Sequence, residues 1–330
     1  MQNWTGSNAG DAQTCGATDT TMPLGSQDEF SPMTWSGGAA FFAVLRDAAK
    51  ELLAMHDVAP RVVRYVASMQ KWLITQAIIA LHFERKHDET RPPLTAGSLI
   101  EFFAAELPFS KNTLTAHLAE MGAYGLLVPQ ESKDRRVRPL QLSVYGETMI
   151  GQWLANHLSA LDRLDGGDRA SSLGSDQRLL ARIHPLAVRS LVFDPDWAQP
   201  PASVDLFVRT ESGSNILHEL ICRVPAGLQG IDRPVCLGPL PASDVSTRHT
   251  LSRGHVQRVF SRAKSEGLLV WSLPGNRGDL FVSQDLLRDY ILWQTIKFRA
   301  ISVAYGQAQE DLNGRRDARA DSWATQQLIE

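Results

Sequence analysis

Two segments of this chain carry side chains of the kinds that form hydrogen bonds with the edges of DNA bases. In the segment 111–124 these are Lys111, Asn112, Thr113, Thr115 and His117. Side chains that are short, or that form paired hydrogen bonds, reach base edges from the first two turns of a helix in the major groove. Ser110 suits the N-cap of such a helix, and Gly125 suits its end. The pattern therefore predicts a helix that enters DNA.

The segment 252–265 carries a second, more basic set: Arg253, His255, Gln257, Arg258 and Arg262. Residues 245–265 contain five Lys or Arg and no Asp or Glu, which is enough for several phosphate contacts. The formal net charge of the whole chain is -3, so DNA contact must come from local patches rather than overall basicity. A solvated helix face is the alternative explanation of this basic run.

Patterns of known catalytic and metal sites are missing from the sequence. It contains no GxGxxG, P-loop, GxSxG or HExxH motif. His249 and His255 have no partners at metal-ligand spacing, and the three cysteines include no CxxC pair. We therefore predict a protein that is not an enzyme and that uses no cofactor or metal. The odd, unpaired cysteines also predict a reducing compartment.

The two DNA-reading segments belong to an internal repeat. A shift of 142 places SKNTLTAHLAEMGAYGLLV at 110–128 over SRGHVQRVFSRAKSEGLLV at 252–270. A shift of 140 then places Leu142, Ser143 and Trp153 over Val282, Ser283 and Trp293. Matches on both sides of a two-residue deletion predict two units of the same architecture.

Each unit reads as helix, turn, helix, hairpin and helix, which is the order of a winged helix-turn-helix. In the first unit we predict helices over 95–106, 111–124 and 144–164, with strands at 126–128 and 140–142. The second has a shorter hairpin turn, 273–279, and a terminal helix over 284–305. Two helices, 38–53 and 59–87, precede the first unit. The predicted fold class is mainly α with short β-hairpin wings, a tandem winged helix-turn-helix.

The chain divides into five predicted parts. Residues 1–36 are rich in Gly, Ser and Thr and form a flexible N-terminal tail. The first unit with its preceding helices spans 37–165, a linker spans 166–202, and the second unit spans 203–306. The last part, 307–330, is a polar C-terminal segment whose turns fray. No leader and no long apolar span is present, so we predict a soluble, cytoplasmic protein.

Residues 95–165 resemble the MarR family of bacterial transcription regulators. The family's wing pattern, an Asp, an Arg two residues on, Leu-Thr and a Gly, is matched by Asp134, Arg136, Leu142, Ser143 and Gly146. The resemblance implies that Asp134 orients Arg136 into a minor groove while the helix at 111–124 enters the major groove. Family members are about half as long as this chain and dimerise to present two units.

The first wing holds four basic residues against Glu131 and Asp134, namely Lys133, Arg135, Arg136 and Arg138. We predict that they contact DNA, with a solvated hairpin tip as the alternative. The second wing departs from the family, because Arg277 lies in a Pro-Gly-Asn-Arg-Gly-Asp turn without a preceding acidic residue. Its DNA contact is predicted from position alone.

The sequence thus predicts a DNA-binding transcriptional regulator, a repressor rather than an activator, whose partner is double-stranded DNA. A plasmid-type replication initiator and a winged-helix protein-interaction module are the alternatives. A small-molecule effector is left open, with a ligand pocket near Trp72, His82, Phe102 and Phe103, although such residues are more often plain core. A homodimer formed through the long helices is also left open.

Overall fold

The chain is described by a computed structural model over residues 39–58, 68–104, 109–134, 136–226 and 231–327, with side chains to residue 314. Within these ranges it is mainly helical, with two small antiparallel sheets. This confirms the predicted mainly α class with short hairpins. The predictions for the tail at 1–36 and the start of the helix at 59–67 lie outside the described residues.

The first half contains five helices and one hairpin in its described ranges. They are α1 (Ala39–Val58), α2 (Met69–His87), α3 (Ala96–Phe102), α4 (Lys111–Ala123), β1 (Leu127–Pro129), β2 (Leu140–Leu142) and α5 (Val144–Asp165). The helices predicted at 111–124 and 144–164 are found within about a residue of their expected ends. The predicted helix 95–106 is shorter in its described part and ends at Phe102.

The second half begins with five helices before its sheet. They are α6 (Arg169–Ser175), α7 (Arg178–Val192), α8 (Pro195–Ala198), α9 (Ala202–Val208) and α10 (Gly213–Cys222). Then follow β3 (Val235–Pro239), α11 (Ala242–Arg248), α12 (Arg253–Ser265), β4 (Leu269–Leu273), β5 (Arg277–Val282) and α13 (Gln284–Gln327). We call the segment from Leu94 to the end of α5 the first unit and the segment from β3 to the end of α13 the second unit.

Matching glycines end the second helix of each unit. Gly125 follows α4 with φ 71°, and Gly267 follows α12 with φ 73°. Only a residue without a Cβ takes this left-handed conformation without strain, so the chain can turn sharply from the helix into the strand. The shared glycine of the sequence repeat is therefore required by the backbone conformation.

Matching serines join each hairpin to the helix that follows it. The backbone N–H of Ser143 donates to the carbonyl of Leu126, and that of Ser283 donates to the carbonyl of Leu268, both at 2.9 Å. Each serine hydroxyl also accepts a hydrogen bond from the first turn of the next helix. The two units thus repeat in hydrogen bonding as well as in sequence.

Both hairpins pair with a further backbone segment at the same place, through a full strand in the second unit and a single bridge in the first. In the second unit β3 pairs with β5, and Gly238 lies opposite Leu280. In the first unit the position 140 residues earlier, Leu140, forms a single antiparallel bridge with Leu94. The first sheet is therefore a reduced version of the second.

The segment 166–202, predicted as a linker, is part of the core. It forms α6, α7 and α8, and α7 packs between α2 and α13. The buried face of α7 contains Leu179, Ile183, Ala187, Val188 and Leu191. These residues recur at three- and four-residue intervals, which puts them on one side of a helix. The linker was predicted only from the polar stretch before Arg178. In the structure that stretch consists of the short helix α6 and its flanking turns.

Ion pairs add to the packing of α7. Arg182 is almost fully buried, and its Nη1 donates to Oδ2 of Asp311 on α13 at 2.9 Å. Its Nη2 lies 3.0 Å from Nε2 of His87 on α2. On the same side, Arg189 forms a two-point pair with Glu84 of α2. α7 is thus bound to both neighbours by polar as well as apolar contacts.

The last helix is longer than predicted. It was expected to end at 305 with fraying turns in the segment 307–330, but α13 continues to Gln327. Ala308 and Leu312 are buried beyond the expected end, and Asp311 pairs with Arg182. In the described ranges, no helix has both the length and the apolar character that crossing a bilayer requires.

Substitution on α7 tests whether this segment is core or linker. Ile183 is fully buried, so Ile183→Ala should lower the free energy of unfolding by about 2–5 kcal/mol through lost burial and a residual cavity. Leu186 on the same helix is 37% exposed, and Leu186→Ala should cost less than about 1 kcal/mol. Urea denaturation followed by circular dichroism measures both. Equal, small effects would contradict the core position of α7.

Candidate nucleic-acid interface

Helix α4 presents three of the five side chains that the sequence selected. Ser110 caps its start, since its Oγ accepts a hydrogen bond from the backbone N–H of Thr113 at 3.1 Å. Lys111, Asn112 and Thr115 are exposed. Thr113 is half-buried, and its hydroxyl lies 2.9 Å from the Ser110 hydroxyl. The start of α4 therefore offers a lysine and an amide to solvent in the first turn.

His117 was predicted as a DNA contact, and the structure corrects this. Its side chain is only 4% exposed, and its Nε2 lies 2.8 Å from the hydroxyl of Thr75 on α2. Burial lowers the pKa of His117 to about 4, so the ring is neutral at pH 7. Leu114, Leu118 and Met121 are buried on the same face of α4. His117 holds α4 against α2 and does not point toward solvent.

Helix α12 is the more basic of the two. Ser252 caps it through a hydrogen bond from the backbone N–H of His255 at 3.1 Å. Of the residues predicted to contact DNA on this helix, Arg253, Gln257, Arg258 and Arg262 are exposed. Within the described residues, no hydrogen bond or ion pair engages the guanidinium groups of Arg253 and Arg262. Cations without an acidic partner remain available for phosphate.

His255, another predicted contact, is partly engaged by the protein. It is half-buried, and its ring Nε2 lies 3.1 Å from the carbonyl oxygen of Glu211. The ring thus joins the first turn of α12 to the segment between α9 and α10. Arg258 makes only a weak bond, from Nε to the Gly254 carbonyl at 3.3 Å on its own helix.

In the first hairpin (β1–β2) the acidic residue acts on the backbone. Oδ1 of Asp134 accepts a hydrogen bond from the backbone N–H of Arg136 at 2.9 Å. The resemblance implied that Asp134 orients the guanidinium, but the described residues give that group no partner. Lys133, Arg136 and Arg138 are exposed, and Arg135 lies outside the described residues. Asp134 therefore shapes the turn that presents Arg136.

The second hairpin (β4–β5) is bound to its helix by a lysine that sequence reasoning did not select. Nζ of Lys264 donates to Oδ1 of Asn276 at 3.1 Å and lies 5.9 Å from the centre of the Trp271 ring. Arg277 is exposed, and its Nε donates to the Pro274 carbonyl at 3.1 Å. Lys264 belonged to the basic run at 245–265, so a signal for it existed. Helix and hairpin of the second unit form one basic surface.

The exposed charges differ between the two surfaces. α12 and its hairpin expose five cations against two anions: Arg253, Arg258, Arg262, Lys264 and Arg277 against Glu266 and Asp279. α4 and its hairpin expose four cations against two anions among the described residues: Lys111, Lys133, Arg136 and Arg138 against Glu131 and Asp134. Both surfaces are locally positive on an acidic chain, the second more strongly.

The four residues predicted to form a ligand pocket do not share one. Trp72 lines a cavity with residues of α5, α10 and α13. The His82 ring accepts a hydrogen bond at Nδ1 from the backbone of Leu142, so Nε2 carries the proton and donates to Glu147 at 2.9 Å. Phe102 and Phe103 pack against each other and against Phe193. His82 and the phenylalanines are therefore core contacts.

Two further properties bear on alternative functions. In the part of the chain that the structure describes, no three His, Cys, Asp or Glu side chains lie together as metal ligands. In comparisons with known proteins, no family model, no curated protein and no solved structure matches this chain.

The buried position of His117 predicts a pH effect on stability. Its pKa is about 4 in the folded protein against 6.5 when unfolded, so the unfolded chain takes up the proton first. The contribution of the neutral His117 to the free energy of unfolding is therefore fully present above pH 6.5 and is lost as the pH falls toward 4. It amounts to up to about 3 kcal/mol. His117→Gln, which can still bond to Thr75, should remove that contribution. Urea denaturation at pH 7 and pH 4 measures it, and an unchanged difference would contradict the buried position.

Proposed function

We propose that this protein is a sequence-specific DNA-binding transcription regulator, a repressor, built from two winged helix-turn-helix units in tandem. One observation carries the proposal. The same capped helix, glycine turn and serine-anchored hairpin occur twice, and both times the exposed side bears cations that have no acidic partner among the described residues. A merely structural repeat needs no such cations on both surfaces. The likeness to the MarR wing supports the same proposal.

We propose that the two recognition helices, α4 and α12, make different kinds of contact with DNA. α12 supplies most of the phosphate contacts, because Arg253, Arg258 and Arg262 are long, exposed and cationic. α4 reads bases, since Asn112 can form a paired hydrogen bond with adenine and Lys111 can bond to guanine. Arg136 and Arg277 at the hairpin tips reach the flanking backbone or minor groove.

The tandem arrangement has a consequence for the DNA site. α4 and α12 differ in sequence, so one chain reads two different half-sites rather than a palindrome. α7 packs on helices of both halves, which fixes the spacing between the two recognition helices. We therefore expect an asymmetric operator with constant half-site spacing. Its occupancy by this cytoplasmic protein would block RNA polymerase.

The first experiment is selection of bound duplexes from a random DNA pool, followed by mapping of bound sites in the genome. Enrichment of one asymmetric motif at promoters supports the regulator. Iterated copies of one motif at a replication origin would favour the initiator instead. No enriched motif, at low and moderate salt, would contradict the proposal and favour a protein-interaction module.

Removal of two arginines from α12 should weaken DNA binding through lost phosphate contacts. We expect Arg258→Ala with Arg262→Ala to lower affinity at moderate salt and to reduce the slope of log K against log salt by about 2. Arg288 and Arg299 on α13 are also exposed, so Arg288→Ala with Arg299→Ala is a control with the same charge change. Fluorescence anisotropy on the selected duplex measures both. An equal loss in both variants would show a bulk charge effect only.

Removal of the amide on α4 should change specificity rather than general affinity. Asn112→Ala is expected to cost about 1–3 kcal/mol on the selected site and to relax the preference at one base pair. Lys133→Ala, at the hairpin tip, should instead weaken binding equally on all sequences. Repeating the duplex selection with both variants separates the outcomes. If Asn112→Ala selects the same motif as the wild type, the proposal that α4 reads bases would be wrong.

A further inference from the structure

A cavity of about 180 Å³ lies among helices from both halves of the chain. Most of its wall residues lie on α1, α2, α5, α10 and α13, and Trp197 of α8 joins them. An apolar cavity of about 150 Å³ is large enough to hold benzene, so this one has room for a small ring or short chain with a polar head. The first and last lining residues in the sequence, Leu52 and Lys297, are 245 positions apart.

Tryptophan side chains give the cavity flat apolar walls. The rings of Trp197 and Trp293 stack with centres 4.3 Å apart and planes 8° apart. Trp72 meets Trp197 edge to face at 5.2 Å, and Trp153 lines the cavity from α5. The Trp293 Nε1–H donates to the Trp197 carbonyl at 3.1 Å, which fixes the stack. Such walls favour a planar or slender apolar body.

Lys297 is the unusual member of the lining. It is 6% exposed, and no hydrogen bond or ion pair holds its Nζ among the described residues. Its Nζ lies 5.7 Å from the centre of the Phe298 ring and 5.9 Å from the centre of the Trp197 ring. The lining contains no Asp or Glu. A buried cation without a counter-ion is costly, so burial lowers the pKa of Lys297 to about 7.

Two other lining residues hold hydrogen-bond donors without acceptors. Nε1 of Trp197 and Nδ2 of Asn215 are buried and have no hydrogen-bond partner among the described residues, and the same is true of Nδ1 of His218. Asn215 is 3% exposed and Trp197 is 2% exposed, so neither side chain lies at the outer surface of the protein. An indole N–H and an amide NH₂ can only donate. Together with Lys297, the walls of the cavity provide donors that lack an acceptor.

We propose that this cavity binds a small monocarboxylate with a flat or slender apolar body. Its carboxylate would supply the missing counter-ion of Lys297 and an acceptor for the unpaired donors, while its apolar body lies against the tryptophans. A neutral molecule of the same shape would leave the ammonium unpaired. This site goes beyond the proposed DNA binding, and it stands whether or not the protein binds DNA.

Other titratable groups around Lys297 do not supply its counter-ion. His157 on α5 and His218 on α10 lie close enough to Lys297 to interact with it electrostatically. Burial lowers the pKa of both histidines, to about 3 for His218, so both are neutral near pH 7. The positive charge that would pair with a carboxylate at neutral pH is therefore that of the Lys297 ammonium group.

The test is titration of the full chain with benzoate and with hexanoate, followed by calorimetry and tryptophan fluorescence. Benzyl alcohol and hexanol are the neutral counterparts. We expect saturable binding of at least one acid, at least tenfold weaker binding of its alcohol, and a loss of at least tenfold with Lys297→Met. Lys50→Met is the matched control, because Lys50 is exposed on α1 and pairs with Asp47. No saturable binding of either acid to the wild type would overturn the proposal.

A measurement on the unaltered protein makes the test independent of whether Lys297→Met folds. Binding requires the ammonium form, so affinity for the acid should be constant below pH 7 and should fall by up to about tenfold per pH unit above it. The calorimetric signal in two buffers should show proton uptake near pH 8. Affinity independent of pH between 6 and 9, or equal affinity for acid and alcohol, would exclude Lys297 as the counter-ion.

Discussion

The burial of α7 between α2 and α13 is the contact on which the rest of the structure depends. α2 supports the first unit through Thr75 and His117, and α13 is itself the last helix of the second unit. Two repeats that only followed each other along the chain would be free to move apart. A shared apolar helix removes that freedom, because separation would expose its whole buried face to water. The polar contact between His184 of α7 and Gln76 of α2, 2.7 Å long, adds a defined register.

Features that depend on residues close together in the sequence could be predicted, and features that depend on distant residues could not. The cap at Ser110 and the turn at Gly125 depend on neighbouring residues, and these features were predicted. The sequence repeat aligns Ser252 and Gly267 with them. The packing of α7 depends on residues about a hundred positions away on either side. The apolar residues of α7 nevertheless have helical spacing in the sequence. The linker was predicted because the polar stretch before α7 was given more weight than this spacing.

The candidate surfaces show the same division. His117 lies three residues after Leu114 and four before Met121, so helical periodicity already placed it on the inward face. Its residue type alone suggested a base contact. The spacing of Asp134 and Arg136 could not tell a bond to the backbone from a bond to the guanidinium. Lys297 resembled any surface lysine in the sequence, because only the assembled walls of the cavity show that it lacks an acceptor.

Helix α13 joins features that were described separately. Its 44 residues span about 66 Å at 1.5 Å per residue, without a break. It starts at the end of β5, passes the cavity with Trp293 and Lys297, and continues to the ion pair of Asp311 with Arg182. A continuous helix resists bending, so a small change in its tilt at the cavity wall would be carried as a lever to the hairpin at one end and to α7 at the other. The mechanical coupling of these three places is a property of one secondary-structure element.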